Sequence, residues 1–246
     1  MTDWKRFWSS YRKKEVTSEE DLYVEVGKTV NGEPVSEEAF QLSIDLIVRD
    51  LELSKRDLLL ELCCGNGLVS RRLAPLVDQI RAVDFSERLI ANARKFSSAA
   101  NVSYFCGDAV AHLEDLAFSK AYVPTKILLG DCLCYFDQEA LRAMLRAVRR
   151  LTADHFIFLA SGIPCDELKC NFYNTPERVR RFEENQLLAE NTNDGIGRWW
   201  RKDELEEIGK AMGFSTVIRE QPGVLSNFRI DTVFASGGKI GLPAAD

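Results

Sequence analysis

The run Asp57-Leu58-Leu59-Leu60-Glu61-Leu62-Cys63-Cys64-Gly65-Asn66-Gly67-Leu68 constrains this chain more than any other stretch. Its apolar residues do not alternate, they stop at a turn of small residues, and a helical pattern follows. That order reads as a parallel strand buried on both faces, delivering a tight loop into a helix. Gly65 and Gly67 let backbone and ligand approach where a Cβ would clash, and the first amides of the helix have no partner within it. In open α/β sheets such a crevice is where ligands bind. Glu61 closes the strand and sets a carboxylate at its edge.

The next two strands also end in acids. Residues 79–85 stop at Asp84, about 20 residues past the glycine loop, the spacing expected of a carboxylate on ribose hydroxyls. Phe85 is then placed against an adenine plane, and Ser86 caps the following helix. The third strand, 102–106, runs into Gly107, Asp108 and Ala109. A carboxylate there can accept a hydrogen bond from the adenine exocyclic amine. Asp84 and Asp108 each also read as simple helix N-caps, but three acids in register are more specific than any one of them.

Two nucleotide-type ligands compete for the crevice. Gly65-Asn66-Gly67-Leu68-Val69-Ser70 can serve as the dinucleotide fingerprint G-x-G-x-x-G with Ser70 in place of its last glycine. The acid followed by a glycine-rich turn also resembles the first motif of the class I (Rossmann-like) S-adenosylmethionine-dependent methyltransferases, with Cys63 replacing the first glycine. Charge favours the second reading, because Glu61 would repel a pyrophosphate and attract a ligand carrying an ammonium and a sulfonium. The resemblance covers residues 36–236. It implies a cofactor site of Glu61, Cys63, Cys64, Gly65, Asn66, Gly67, Asp84, Phe85, Gly107, Asp108, Ala109 and Gly130, with S-adenosylmethionine as methyl donor and S-adenosylhomocysteine as product. It further implies that residues 131–136, after the fourth strand at 125–131, face the transferable methyl. The N-P-P-[FY] signature of base-amino methyltransferases is absent there.

The fifth strand is 155–160, with His155 at the end remote from ligands. Residues 214–219 and 228–235 are joined by a connection too short for a parallel crossover, so they form an antiparallel hairpin at one edge. The expected fold is α/β: a doubly wound seven-stranded sheet, mostly parallel, in the order 3-2-1-4-5-7-6, with an N-terminal helical extension. Residues 1–35 are read as helix and loop, 36–236 as the methyltransferase domain with a substrate-recognition insertion at 162–200, and 237–246 as a tail. In the extension, Trp4, Phe7, Trp8 and Tyr11 recur at helical spacing. This stripe docks on the body, covers the ligand as a lid, or lies on a membrane surface. Lys28 reads first as a solvated loop lysine.

For the chemistry, an amine acceptor needs only to be held neutral, whereas a hydroxyl benefits from a base. Asp131 and Asp166 are the candidate bases, each at a strand end and open to a pKa raised by burial. Tyr135 or Tyr173 orients the acceptor, and Tyr173, Trp199 and Trp200 either stack on it, with Arg178 meeting a phosphate, or only pin the insertion down. His112, on the helix after the third strand, is a weaker base candidate.

The chain of 246 residues has a net charge of −6 and pI near 5.2, which argues against a polyanionic main partner. Seven cysteines without a C-x-x-C, and two histidines, give no metal framework and suggest reduced thiols in a cytoplasmic protein. No signal peptide or membrane span is apparent. The expected activity is methyl transfer to N or O of a small polar metabolite such as a sugar, nucleotide-sugar or secondary metabolite. An RNA or protein methyltransferase and an NAD(P)-binding oxidoreductase are the alternatives.

Overall fold

The computed structural model describes residues 4–11, 15–151, 156–187 and 196–237. His155, the basic residues 12–14, the polar run 191–195 and the tail from 238 lie outside them. In chain order the elements are α1 (Trp4–Ser10), α2 (Glu19–Glu25), β1 (Thr29–Val30), β2 (Glu33–Pro34), α3 (Glu37–Leu51), β3 (Leu58–Leu62), α4 (Leu68–Leu73), β4 (Gln79–Asp84), α5 (Glu87–Phe96), β5 (Val102–Cys106) and α6 (Ala109–Ser119). There follow β6 (Lys126–Gly130), α7 (Gln138–Leu151), β7 (Phe156–Pro164), α8 (Lys169–Phe172), α9 (Pro176–Leu187), α10 (Lys202–Ala211), β8 (Ser215–Glu220) and β9 (Arg229–Ser236).

Strands β3 to β9 form one sheet in the order β5-β4-β3-β6-β7-β9-β8. The first five are parallel, and β9 pairs antiparallel with both β7 and β8. Apart from the two strands of the β1–β2 hairpin, this is the order expected from the sequence. The chain winds outward from β3 in both directions, so β3 and β6 flank the switch point at which open sheets hold ligands.

The uniform apolarity of β3 has a simple cause. Leu60 and Leu62 enter a core shared with α6, α7 and α10, while Leu59 enters a second core shared with α2, α3, α4 and α5. All three are fully buried, each worth about 1.5–3 kcal/mol relative to exposure. Glu61 falls on the Leu59 side, where α4 meets it. Side-chain oxygens of Ser36, Ser86 and Asp108 accept from the first-turn amides of α3, α5 and α6, which fixes where these helices begin. The β1–β2 hairpin turns at Asn31 and Gly32, both at positive φ (53° and 90°), as a two-residue hairpin turn requires.

One irregularity matters for the site. The β7–β9 register shifts between Ala160 and Ile163, so Ser161 and Gly162 form a bulge. Such bulges re-aim side chains at a strand end.

Candidate active site

A single cavity of about 670 Å³ spans the carboxyl ends of β3, β4, β5, β6 and β7, within the size range of small-molecule sites. At one end lie Glu61, Cys63, Cys64, Gly65, Asn66, Asp84, Phe85, Gly107, Asp108, Ala109 and Gly130. Every expected cofactor residue but Gly67 is therefore on its wall. Gly67 instead packs against Tyr104: at φ 75° its missing Cβ would lie 2.4 Å from the Tyr104 hydroxyl oxygen. Cys63 sits at φ 58°, the left-handed conformation that suits glycine, which marks the position where the resembling motif has one.

The three acids are held in different ways. Glu61 is buried and accepts a hydrogen bond from Ser70 Oγ on α4. Burial pushes its carboxyl up to about 7, against that bond and the charge of Lys28. Asp84 accepts from Gly65 N at 3.0 Å through one oxygen and from Ser86 N at 2.9 Å through the other. Each oxygen keeps a lone pair for a further donor, and burial raises this carboxyl too. Asp108 uses Oδ1 to cap α6, and Lys5 Nζ lies 2.8 Å from Oδ2. Burial works against ionisation of Asp108, but Lys5 and the amides of Ala111 and Val110 hold its carboxyl below the ordinary range. Asp108 is thus both an N-cap and a cavity wall.

The N-terminal extension closes over this end. Trp4, Lys5, Phe7, Trp8 and Tyr11 line the cavity, and Trp4 and Trp8 pack on Tyr135 at ring separations of 4.6 and 5.7 Å. Helix α2 buries Glu25, which accepts from Asn66 of the glycine loop at 3.0 Å, from Asn92 at 2.7 Å and from Arg88. A buried network with this many donors to one carboxylate ties the extension to the loop.

The other end departs from the sequence reading. Asp131 and Tyr135 line the cavity as expected, but Asp131 is no raised carboxyl: Lys28 Nζ lies 2.5 Å from Oδ2 and Arg229 lies 3.6 Å from Oδ1. Burial pushes Asp131 up, and these two cations outweigh it and hold it below the ordinary range. Lys28 is accordingly a cavity residue rather than a solvated one. Asp166 lies outside the cavity, beside a shallow cleft with Arg198 and Glu204, and pairs with Lys169 at 3.5 Å.

None of the expected substrate residues reaches the cavity either. Trp200 is fully buried and donates through Nε1 to Leu133 O. Tyr173 and Trp199 belong to an aromatic cluster with Phe172 and Phe228, and Arg178 stacks on Phe172 and donates to its carbonyl. Aromatic residues satisfy each other in this segment. His112 donates nothing to the site: it accepts from Arg81 at 3.1 Å and stacks on Phe105, away from the cavity wall.

The residues that do form this end are Lys28, Ser161, Gln221, Arg229 and Asp231, with Ser43, Leu46, Val224 and Leu225 around them. The sequence singled out no site role for Gln221 or Arg229. They come from the β8–β9 connection and strand β9, which the fold alone brings opposite β6. Among the described residues there is no cluster of metal-ligating side chains.

The sheet order, the switch-point cavity and the acids on its rim define a Rossmann-like fold of the methyltransferase type. Residues 59–155 match the family model for a methyltransferase domain. A curated relative, the malonyl-[acyl-carrier protein] O-methyltransferase of Bacillus cereus, is 26% identical over 62% of this chain. The chain spans about half, 52%, of that relative's length. Among solved structures, magnesium protoporphyrin IX methyltransferase from Synechocystis PCC 6803, with bound SAH, superposes at TM-score 0.55 with 16% identity, over 95% of this chain and 93% of that one. A putative methyltransferase in complex with the Haloferax volcanii Trm112 methyltransferase activator superposes at TM-score 0.59 with 14% identity, over 91% of this chain and 100% of that one. No helix among the described residues is long and apolar enough to cross a membrane.

Proposed function

We propose that this chain binds S-adenosylmethionine and transfers its methyl group to an oxygen or nitrogen of a small polar metabolite. The carrying observation is that Glu61, Asp84 and Asp108, at the tips of adjacent strands, line one cavity that continues into a polar corner at Asp131, Arg229 and Asp231. The nucleoside end fits the donor. Asp84 has lone pairs to offer ribose hydroxyls, Phe85 a face for adenine, and Glu61 a carboxylate for a cationic tail. A Cβ on Gly107 would meet nothing within 4 Å, so a planar base can approach the backbone there. The bound donor supplies an electrophilic methyl on a sulfonium. The chain's own part is alignment, exclusion of water under α1, and handling of the acceptor proton.

A dinucleotide fits less well, because Glu61 would face its pyrophosphate. The test is equilibrium dialysis of methyl-labelled S-adenosylmethionine against the full chain, with S-adenosylhomocysteine and NADH as competitors. Displacement by S-adenosylhomocysteine and not by NADH is the expected result. The reverse order of competition rejects the reading.

A further inference from the structure

The polar corner has an internal logic. Gly162 is its hub: its N–H donates to Asp231 Oδ1 at 2.8 Å, its carbonyl accepts from Arg229, and its Cα faces Asp131. A Cβ at Gly162, where φ is 67°, would lie 1.8 Å from Asp131 Oδ1. The bulge in β7 therefore brings two carboxylates from different strands to one wall of the cavity. Gln221 Nε2 also donates to Asp231 Oδ1, at 2.9 Å, and among the described residues none donates to Oδ2. Asp231 is buried yet lines the cavity.

We propose that this corner is the acceptor subsite, that it takes a hydroxyl-bearing acceptor, and that Asp231 Oδ2 receives the hydroxyl proton. The inference rests on the methyl-donor reading above and deepens it. Two cations, Lys28 and Arg229, stand against two carboxylates, Asp131 and Asp231, so the corner offers little net attraction to an acceptor of either charge. A neutral hydroxyl can donate to one set and accept from the other. It is also the acceptor that needs a base. In the step, the acceptor O–CH3 bond forms as the S–CH3 bond breaks. The breaking pair stays on sulfur as a neutral thioether, and the O–H proton passes to Asp231.

The surroundings of the two carboxylates support different roles for them. Burial pushes Asp231 up to about 6, despite the bonds from Gly162 and Gln221, with Asp131 and Asp50 adding to the rise. The other charged groups facing it are Arg49 and Asp50 on α3 and Arg219, its cross-strand partner on β8. Asp50 takes both arginines, at 2.8 Å each, so Asp231 has no direct ion pair with either and only the through-space charge of Arg49 favours its ionised form. Asp131, held low by two cations, stays ionised and anchors Lys28. Paired acids driven apart in this way divide into base and anchor.

The test uses the full chain with methyl-labelled S-adenosylmethionine and a probe panel of monosaccharides and nucleoside diphosphate sugars, set beside primary amines and simple carboxylates, from pH 5 to 9. Label on a hydroxyl is expected, with a rate that falls below about pH 6. D231N should keep S-adenosylhomocysteine affinity within twofold, which certifies its fold, while transfer drops about 100-fold or more and the acid limb disappears. D131N should keep the acid limb at whatever rate remains. Label found on an amine or carboxylate, no label on any hydroxyl, or D231N turning over within threefold of the unaltered chain each overturn the inference. Failure of the unaltered chain to bind S-adenosylhomocysteine instead rejects the methyl-donor reading itself.

Discussion

Lys28, in the loop after α2, places its ammonium 2.5 Å from the Asp131 carboxylate at the tip of β6, across 103 positions of chain. This ion pair joins the N-terminal extension to the acceptor end of the cavity. Lys28→Met should raise the Asp131 carboxyl towards its ordinary range, because burial then acts with only Arg229 opposing it. The half-exposed pair is worth at most about 1 kcal/mol, so the midpoint of denaturation should move little. Hydrogen exchange in residues 19–34 should quicken, and an unchanged exchange pattern contradicts the coupling.

Glu61 makes stability depend on pH in a defined window. Its carboxyl is raised from 4.5 to about 7, so between those values the folded chain binds more protons than the unfolded one. Stability must then fall as pH rises through the window, by about 3 kcal/mol at about 1.4 kcal/mol per unit, and level off above it. Urea denaturation of the ligand-free chain at pH 5 and 8 measures this. Glu61→Gln should remove most of the difference, although Asp231 contributes in the same direction.

The aromatic face of α1 predicts a kinetic effect. Trp8→Ala removes a ring packed on Tyr135 and near Gly27, and opens the cover over the nucleoside end. Dissociation of S-adenosylhomocysteine, followed by tryptophan fluorescence, should quicken about tenfold with little change in association, since affinity differences lie mostly in the off-rate. Equal off-rates mean that α1 docks without covering the ligand.

The aromatic segment after β7 should behave as structure. Tyr173→Ala and Trp199→Ala each break a ring cluster and should cost about 1–3 kcal/mol in stability. Neither residue lines the cavity, so acceptor KM and S-adenosylhomocysteine affinity should stay within twofold. A selective rise in acceptor KM restores the substrate role that the sequence suggested.

What could be read in advance divides along a physical line. The strands, the glycine turn and the three acids are local signals, because an apolar run, a left-handed turn and a capping acid each leave a mark within a few residues. Sheet order followed from them, since short connections permit few topologies. The acceptor end had no such mark. Lys28 lies far in sequence from Gln221, Arg229 and Asp231 of the last hairpin, and the pairing of β9 with β7 and the β7 bulge bring them together. Tyr173, Trp199 and Trp200 could be read either way for a complementary reason. An aromatic side chain carries the same letter whether it stacks on a ligand or on Phe172, and burial of Trp200 depends on Leu133, which no spacing rule connects to it. Asp131 looked like a base because its position is right, but its two cations come from the N-terminal loop and the last strand.

The most direct test of the account is calorimetric titration of the full chain and of Asp84→Asn with S-adenosylhomocysteine. Asp84 holds the glycine loop through Gly65 and faces the ribose position, so the unaltered chain should bind and the variant should lose about tenfold or more in affinity while remaining folded by circular dichroism. A chain that takes up no S-adenosylhomocysteine, or a variant that binds it as tightly as the unaltered chain, contradicts the central claim that acids at adjacent strand tips grip one nucleoside-bearing methyl donor.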